Sequence, residues 1–193
     1  MRRFAYLRPD SLDELLALLS THGPDARVLA GGTDLIVRLR LGHMRPTFVV
    51  DVKRVAALRA DIAENDGCLS IGARVVMTDL VGDERVRRHF PALVEAAAVV
   101  GSVQIRNRAT LVGNICNASP AADTAPALLV YGATVNIVGV AGARRVALAE
   151  FVTGPGQTVL NRGEVVESID LPLPSAARGA AFGRVTRRFG VDI

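Results

Sequence analysis

The 193-residue sequence predicts an α+β protein of two lobes: a small βαβ lobe over residues 1–55 and a larger lobe with an antiparallel sheet over residues 56–175. Three observations carry this. A 50% share of hydrophobic residues is enough to fill a substantial core at this length. The first 55 residues alternate strand and helix patterns. Three β-rich stretches separated by turn residues fill the region before residue 173, at a spacing that favours antiparallel pairing.

Taken in order, "FAYLRP" reads as a short strand. Ser11 and Glu14 then have the spacing of a capping box, and Leu12, Leu15, Leu16 and Leu19 fall on one face of the helix that follows. Gly23 ends that helix. "ARVLA" (26–30) is an apolar strand, "GGTDLIVRLR" turns from it into a helical segment, and "FVVDV" (48–52) is another strand. In the second lobe "CLSIGA" reads as a strand. "TDLVGDERVRRHF" and "PALVEAAAVVGS" read as helices, with Pro91 suited to a helix start. The stretch "RNRATLVGNICNASPAADTAPALL" is a long loop entering a short helix around Ala121–Tyr131. "ATVNIVGV", "RRVALAEF" and "GEVVESIDLP" follow as strands.

Composition excludes several function classes. The formal charge is +4, from 23 basic and 19 acidic residues, and Lys53 is the only lysine. Aromatics make up 4%, tryptophan is absent and the arginines are scattered, whereas a nucleic-acid binder carries a basic stripe with interleaved aromatics. Cys68 and Cys116 are too few and too far apart for a zinc or iron–sulfur ligand set, so no metal site is expected on this chain. The basic start "MRR" is followed by leucines that Asp13 and Glu14 interrupt, and no apolar run reaches membrane-spanning length. The expected location is the cytoplasm. No GxSxG surrounds Ser119, and His22, His43 and His89 lie outside the polar loops, so no catalytic residue is expected either.

What remains is a ligand held by backbone and small polar groups. In "VLAGGTDLIVRL" a strand gives way to Gly31, Gly32, Thr33 and Asp34 and then a helix, the arrangement in which consecutive N–H groups form an anion nest. A glycine pair after a strand also makes a plain tight turn, and the pattern is neither a Rossmann nor a Walker loop. Thr110, Gly113 and Asn114 make a second small-residue elbow in the other lobe, with Asn114, Ser119 and Asp123 available for a sugar or polyol. Two such loops point to an elongated dinucleotide lying between the lobes. Asp34 and Asp123 can each cap a helix as well as touch that ligand.

"AGGTDL", the long middle stretch and "AAFGRVTRR", in that order, resemble the FAD-binding medium subunit of the molybdenum hydroxylases, the group of xanthine dehydrogenase and carbon monoxide dehydrogenase. The resemblance covers essentially the whole chain. It implies the two-lobed FAD-binding fold of the vanillyl-alcohol-oxidase-like (PCMH) type, with FAD as cofactor. Ala30, Gly31, Gly32, Thr33 and Asp34, flanked by Leu29 and Leu35, match the first pyrophosphate loop. Thr110, Leu111, Val112, Gly113 and Asn114 match the second. Gly101 and Asp123 match further cofactor positions, with Asp123 on ribityl or ribose hydroxyls and Ser119 beside it as a polar cofactor contact, and Leu160 matches an apolar contact. Arg184 stands where relatives often have a lysine near the flavin ring; a cation there can stabilise reduced flavin, and the same residue can equally be a surface arginine.

Two departures from the family pattern stand out. Val112 replaces a glycine of the second loop, and relatives continue into a C-terminal domain of roughly a hundred residues. Residues 176–193 would be only its start. The implied function is electron transfer: a large molybdenum-pterin subunit oxidises substrate, a small [2Fe-2S] subunit relays electrons, and this chain passes them through FAD to an external acceptor. The implied assembly is a dimer of heterotrimers, without nucleic acid or membrane span. The alternative is a truncated, non-catalytic assembly module that has kept the fold without the flavin.

Overall fold

A computed structural model describes residues 2–176 and 179–186. Lobe one runs β1 (Ala5–Leu7), α1 (Leu12–His22), β2 (Ala26–Leu29), α2 (Leu35–Arg40) and β3 (Phe48–Asp51). Its strands are all parallel, in the order β1-β3-β2. Helix α1 starts where the Ser11 hydroxyl accepts from the Glu14 amide at 3.1 Å. The Glu14 carboxylate reaches back to the Asp10 amide at 2.9 Å, one residue earlier than a standard capping box. Leu15, Leu16 and Leu19 bury the apolar face of α1. Gly23 closes the helix at φ +48°, a backbone region that suits glycine, and donates its N–H to the Leu19 carbonyl.

At the carboxyl end of β3, Asp51 is only 4% exposed. It accepts from the Tyr6 hydroxyl, from the Lys53 ammonium at 2.6 Å and from the Lys53 amide at 2.9 Å. Burial alone would raise this carboxyl; the hydrogen bonds from Lys53 and Tyr6 outweigh it and hold the group below its ordinary range. The chain leaving lobe one is therefore anchored where it turns toward the second.

Lobe two contains β4 (Ile62–Asn65), β5 (Cys68–Gly72), α3 (Met77–Gly82), α4 (Glu84–His89), α5 (Pro91–Ala98), α6 (Val103–Arg106), α7 (Leu111–Cys116), α8 (Thr124–Val130), β6 (Thr134–Gly139), β7 (Gly142–Ala147), α9 (Leu148–Phe151), β8 (Val152–Gly154), β9 (Gln157–Thr158) and β10 (Val165–Pro172). Five of these strands form an antiparallel sheet in the order β4-β5-β10-β6-β7, and β8 and β9 make a separate hairpin. Leu69, Ile71, Val135, Ile137, Ile169 and Leu171 alternate onto the buried face. They share one apolar core with Phe90, Leu93, Leu111 and Leu128 of the helical layer. A bulge between Val166 and Ser168 shifts the register so that Val166 stands on the core face opposite Ile137. On the outer face the Asn136 amide donates to the Ser168 hydroxyl at 2.8 Å.

The two-lobed α+β architecture is as the sequence predicts, with four local corrections. The helix expected over "TDLVGDERVRRHF" breaks at Asp83, whose extended backbone (ψ 123°) ends α3 and whose carboxylate caps α4 through the Arg85 and Val86 amides. "RRVALAEF" turns from strand into helix at Leu148. Strand β4 and the β8–β9 hairpin are additions. The expected long loop contains a short helix, α7, and another, α6, ends at its first residue, Arg106. Arg184 to Thr186 show no regular structure, and Arg187, Arg188 and the remainder of the expected C-terminal segment lie outside the described residues. Among the described residues no helix is long and apolar enough to cross a membrane.

Candidate functional site

A cleft of about 1020 Å³ runs between the lobes. One wall is the turn after β2: Ala30, Gly31, Gly32, Thr33, Asp34 and Leu35 all line it. Gly32 sits at φ +78°, where a side chain is strained. Among the described residues, no protein acceptor meets the amides of Gly31 to Leu35. Opposite stands the start of α7, where the Thr110 hydroxyl accepts from the Gly113 amide at 3.0 Å. Thr110, Val112, Gly113 and Asn114 line this wall. Val112 is 6% exposed, so its side chain is largely taken up by the core.

The two walls touch. An ideal Cβ built on Gly31 would lie 2.0 Å from the Arg108 carbonyl oxygen, so only a glycine allows this backbone-to-backbone approach. The Asn117 amide donates to the Asp34 carboxylate at 3.3 Å, tying the loops side chain to side chain. Asp34 therefore does not cap α2, and Asp123 makes no capping bond to α8. Instead Asp123 pairs with Arg184 at 3.0 Å. Burial pushes the Asp123 carboxyl up, with Arg184 pulling the other way. Asn114 is oriented by the buried Thr124 hydroxyl, which donates to its carbonyl at 2.7 Å.

Gly101, Ser119, Asp123, Leu160 and Arg184 also line the cleft. Leu29 and Leu111 do not: Leu111 is fully buried in the core, and Leu29 packs behind Gly32, with its Cδ1 2.7 Å from an ideal Cβ there. Several lining residues give no signal in the sequence, among them Cys116, Asn117, Arg27 and Arg162. Burial pushes the Cys116 thiol up to about 12, which keeps it protonated and unreactive. Ala118, beside it, adopts φ +47°, and its carbonyl accepts from Gly156 at 2.8 Å, fastening this loop to the β8–β9 turn.

The cleft edge around Leu160 is braced by a two-pronged ion pair. Arg144 Nε and Nη2 each reach a Glu164 carboxylate oxygen at 2.7 Å, and the Asn161 amide adds a third bond at 2.7 Å. The Arg144 guanidinium holds the Glu164 carboxyl at about 2. Because the folded state depresses this group, its stabilisation is full above the ordinary value of 4.5 and is lost as pH falls toward about 2. With Arg144 about a third exposed, Glu164→Gln is expected to cost about 2 kcal/mol at pH 7 and less than half of that at pH 3. Urea unfolding at the two pH values checks this, and an equal loss at both would sink it.

Residues 2–174 match the family model described as the FAD-binding domain in molybdopterin dehydrogenase. The chain belongs to that family. It is 37% identical over 190 residues to the xanthine dehydrogenase FAD-binding subunit of Escherichia coli O157:H7, covering 98% of this chain and 65% of that protein. It is 34% identical to the carbon monoxide dehydrogenase medium chain of Hydrogenophaga pseudoflava, over 97% of this chain and 65% of that one. The solved carbon monoxide dehydrogenase of Hydrogenophaga pseudoflava lacking the Mo-pyranopterin moiety superposes with a TM-score of 0.94 at 34% identity, over 99% of this chain and 66% of that structure's chain. The chain thus spans just under two thirds of the length of these relatives.

Proposed function

We propose that this chain binds FAD in the interlobe cleft and serves as the electron-transfer flavoprotein part of a molybdenum-hydroxylase-type oxidoreductase. The observation that carries the reading is the cleft's first wall: five consecutive amides without a protein acceptor among the described residues, on a glycine turn at a helix start, facing a second glycine-bearing helix start. Such amides fit a pyrophosphate without any lysine, because each hydrogen bond to a charged acceptor contributes roughly 1.5–3 kcal/mol. The amides of the Ala30–Leu35 turn would hold the diphosphate, with Thr110, Val112, Gly113 and Asn114 facing it from the second wall; Ser119 and Asp123 would take hydroxyls, and Leu160 would give apolar contact. Arg184, held by Asp123, would stand near the flavin ring. When bound, FAD supplies the redox chemistry; the chain supplies binding, orientation and electrostatics.

Several parts of this reading concern the whole assembly. Electrons would come from a small [2Fe-2S] subunit fed by a large molybdenum-pterin subunit, within a dimer of heterotrimers. An external acceptor would take them. The metal centres of this reading would belong to the partner chains. The lobe division near residue 55 and the start of a C-terminal domain at 176 belong to the same reading. So does a cytoplasmic location, which suits two free cysteines.

A bound-flavin absorbance spectrum of the purified chain tests the cofactor directly. The relay is tested by reconstitution, with flavin reduction by a hydroxylation substrate expected only when both partner subunits are present. Reduction by substrate in this chain alone would make an independent flavin oxidase the better reading.

A further inference from the structure

The last turn of α1 ends in carbonyls that no intrahelical amide can reach, and the negative end of a helix favours a cation. A residue of the other lobe answers that need. Arg162, from the turn before β10, donates through Nε to the Ser20 carbonyl at 2.8 Å and through Nη2 to the Thr21 carbonyl at 2.9 Å. The partners are 142 and 141 residues apart in sequence.

The fit depends on a missing side chain. An ideal Cβ on Gly23 would lie 2.5 Å from Arg162 Nε and 2.8 Å from its Cζ, so glycine is what lets the guanidinium lie against the helix end. Gly163, at φ +80°, packs its backbone against Ser20, where an ideal Cβ would come within 3.3 Å of the serine Cβ. Glu164, next in the chain, is pinned into lobe two by Arg144. The turn is therefore fixed at its base and grips lobe one at its tip. Gly23, Leu160, Arg162 and Gly163 all line the cleft.

Beside the cleft the lobes are bridged at Gly31 and Asp34 and again at the end of α1, while away from it the Arg74 guanidinium reaches the Lys53 carbonyl and one apolar core joins them. We propose that Arg162 is the latch of the second bridge, a positioning residue that holds the cleft closed over a dinucleotide and sets its residence time. The proposal rests on the reading that FAD occupies the cleft. Departure of the ligand requires the walls to part, and parting them at this end breaks two charge-assisted hydrogen bonds.

The test uses the full chain with Arg162→Ala, Arg162→Lys and Gly23→Ala. Arg162→Ala is expected to release FAD about tenfold faster on dilution, the equivalent of roughly 1.4 kcal/mol. Because the bridge is present without flavin as well, association should speed up by a similar factor, and the flavin-free chain should melt only slightly lower. Arg162→Lys should recover only part of the effect, since an ammonium lacks the planar fork that meets both carbonyls. Gly23→Ala, which displaces the guanidinium and also strains the backbone at φ +48°, should release FAD at least as fast. Hydrogen exchange of the flavin-free chain supplies an arm that needs no cofactor: Arg162→Ala should speed exchange in the last turn of α1 and leave the β10 sheet unchanged. Wild-type-like FAD release in Arg162→Ala overturns the latch, as does faster exchange spread evenly over both lobes. A wild-type chain that binds no FAD defeats the cofactor reading instead, and the exchange arm then decides whether the bridge exists.

Discussion

Gly31→Ala is expected to weaken FAD binding by roughly 30- to 150-fold, equivalent to about 2–3 kcal/mol of overpacking. The atom that an added methyl would strike, at 2.0 Å, is the backbone carbonyl oxygen of Arg108, with the Arg108 carbonyl carbon at 2.8 Å and Ala109 Cα at 3.1 Å. A side chain could swing aside; two stretches of backbone cannot. The loops must separate, and the amides of the first then no longer face the second wall. Gly32 makes an instructive contrast, because its nearest obstacle is the Leu29 side-chain tip at 2.7 Å, and its constraint is instead φ +78°. A β-branched residue there should also strip flavin without unfolding the lobes. Fluorescence titration with FAD, beside urea unfolding of the flavin-free variants, separates binding from folding. An unaltered dissociation constant for Gly31→Ala would refute the two-wall site.

Removing FAD should lower the unfolding free energy by about 2.7 kcal/mol relative to a sample with free flavin at a hundredfold excess over its dissociation constant, because a ligand confined to the native state stabilises it by mass action. The loss should begin between the lobes. Each sheet keeps its own pairing, whereas the Asp34–Asn117 contact and the five acceptor-free amides lie where the ligand would bind. Hydrogen exchange at residues 30–34 and 110–117 should therefore rise before exchange within β3 or β10. Identical melting curves with and without flavin would favour the non-catalytic assembly module.

Local chemistry made much of the fold legible. Ser11, Glu14 and the leucines of α1 write a helix with its cap into twelve consecutive letters, and alternation in "ATVNIVGV" does the same for β6. Strand β4 gives less, since Glu64 and Asn65 are exposed on an edge and no apolar alternation marks them. Asp83 sits in a run that reads as continuous helix, because a carboxylate that caps the next helix looks locally like one inside it. The same division holds in the cleft. Density of glycine and small polar residues marks the two loops, but Asn117 and Arg162 act across 83 and 142 residues of chain. Such pairs leave no periodic trace for a sequence to display.

Both sheets share a further property. In lobe one the middle strand is β3, and in lobe two it is β10, so in each case the strand at the centre is the last of its sheet to leave the ribosome. Before residue 48 emerges, β1 and β2 have no partner, since neither pairs with the other. Before residue 165 emerges, lobe two consists of two separate hairpins, β4–β5 and β6–β7, each with an open inner edge. These edges carry Leu69, Ile71, Val135 and Ile137 and are templates for pairing with another chain until β10 inserts between them. The long-range closure that makes such topologies slow to fold also makes their nascent forms adhesive. A keystone made last leaves the growing polypeptide dependent on prompt completion of translation, or on a chaperone that shields the gap, for as long as its centre is missing.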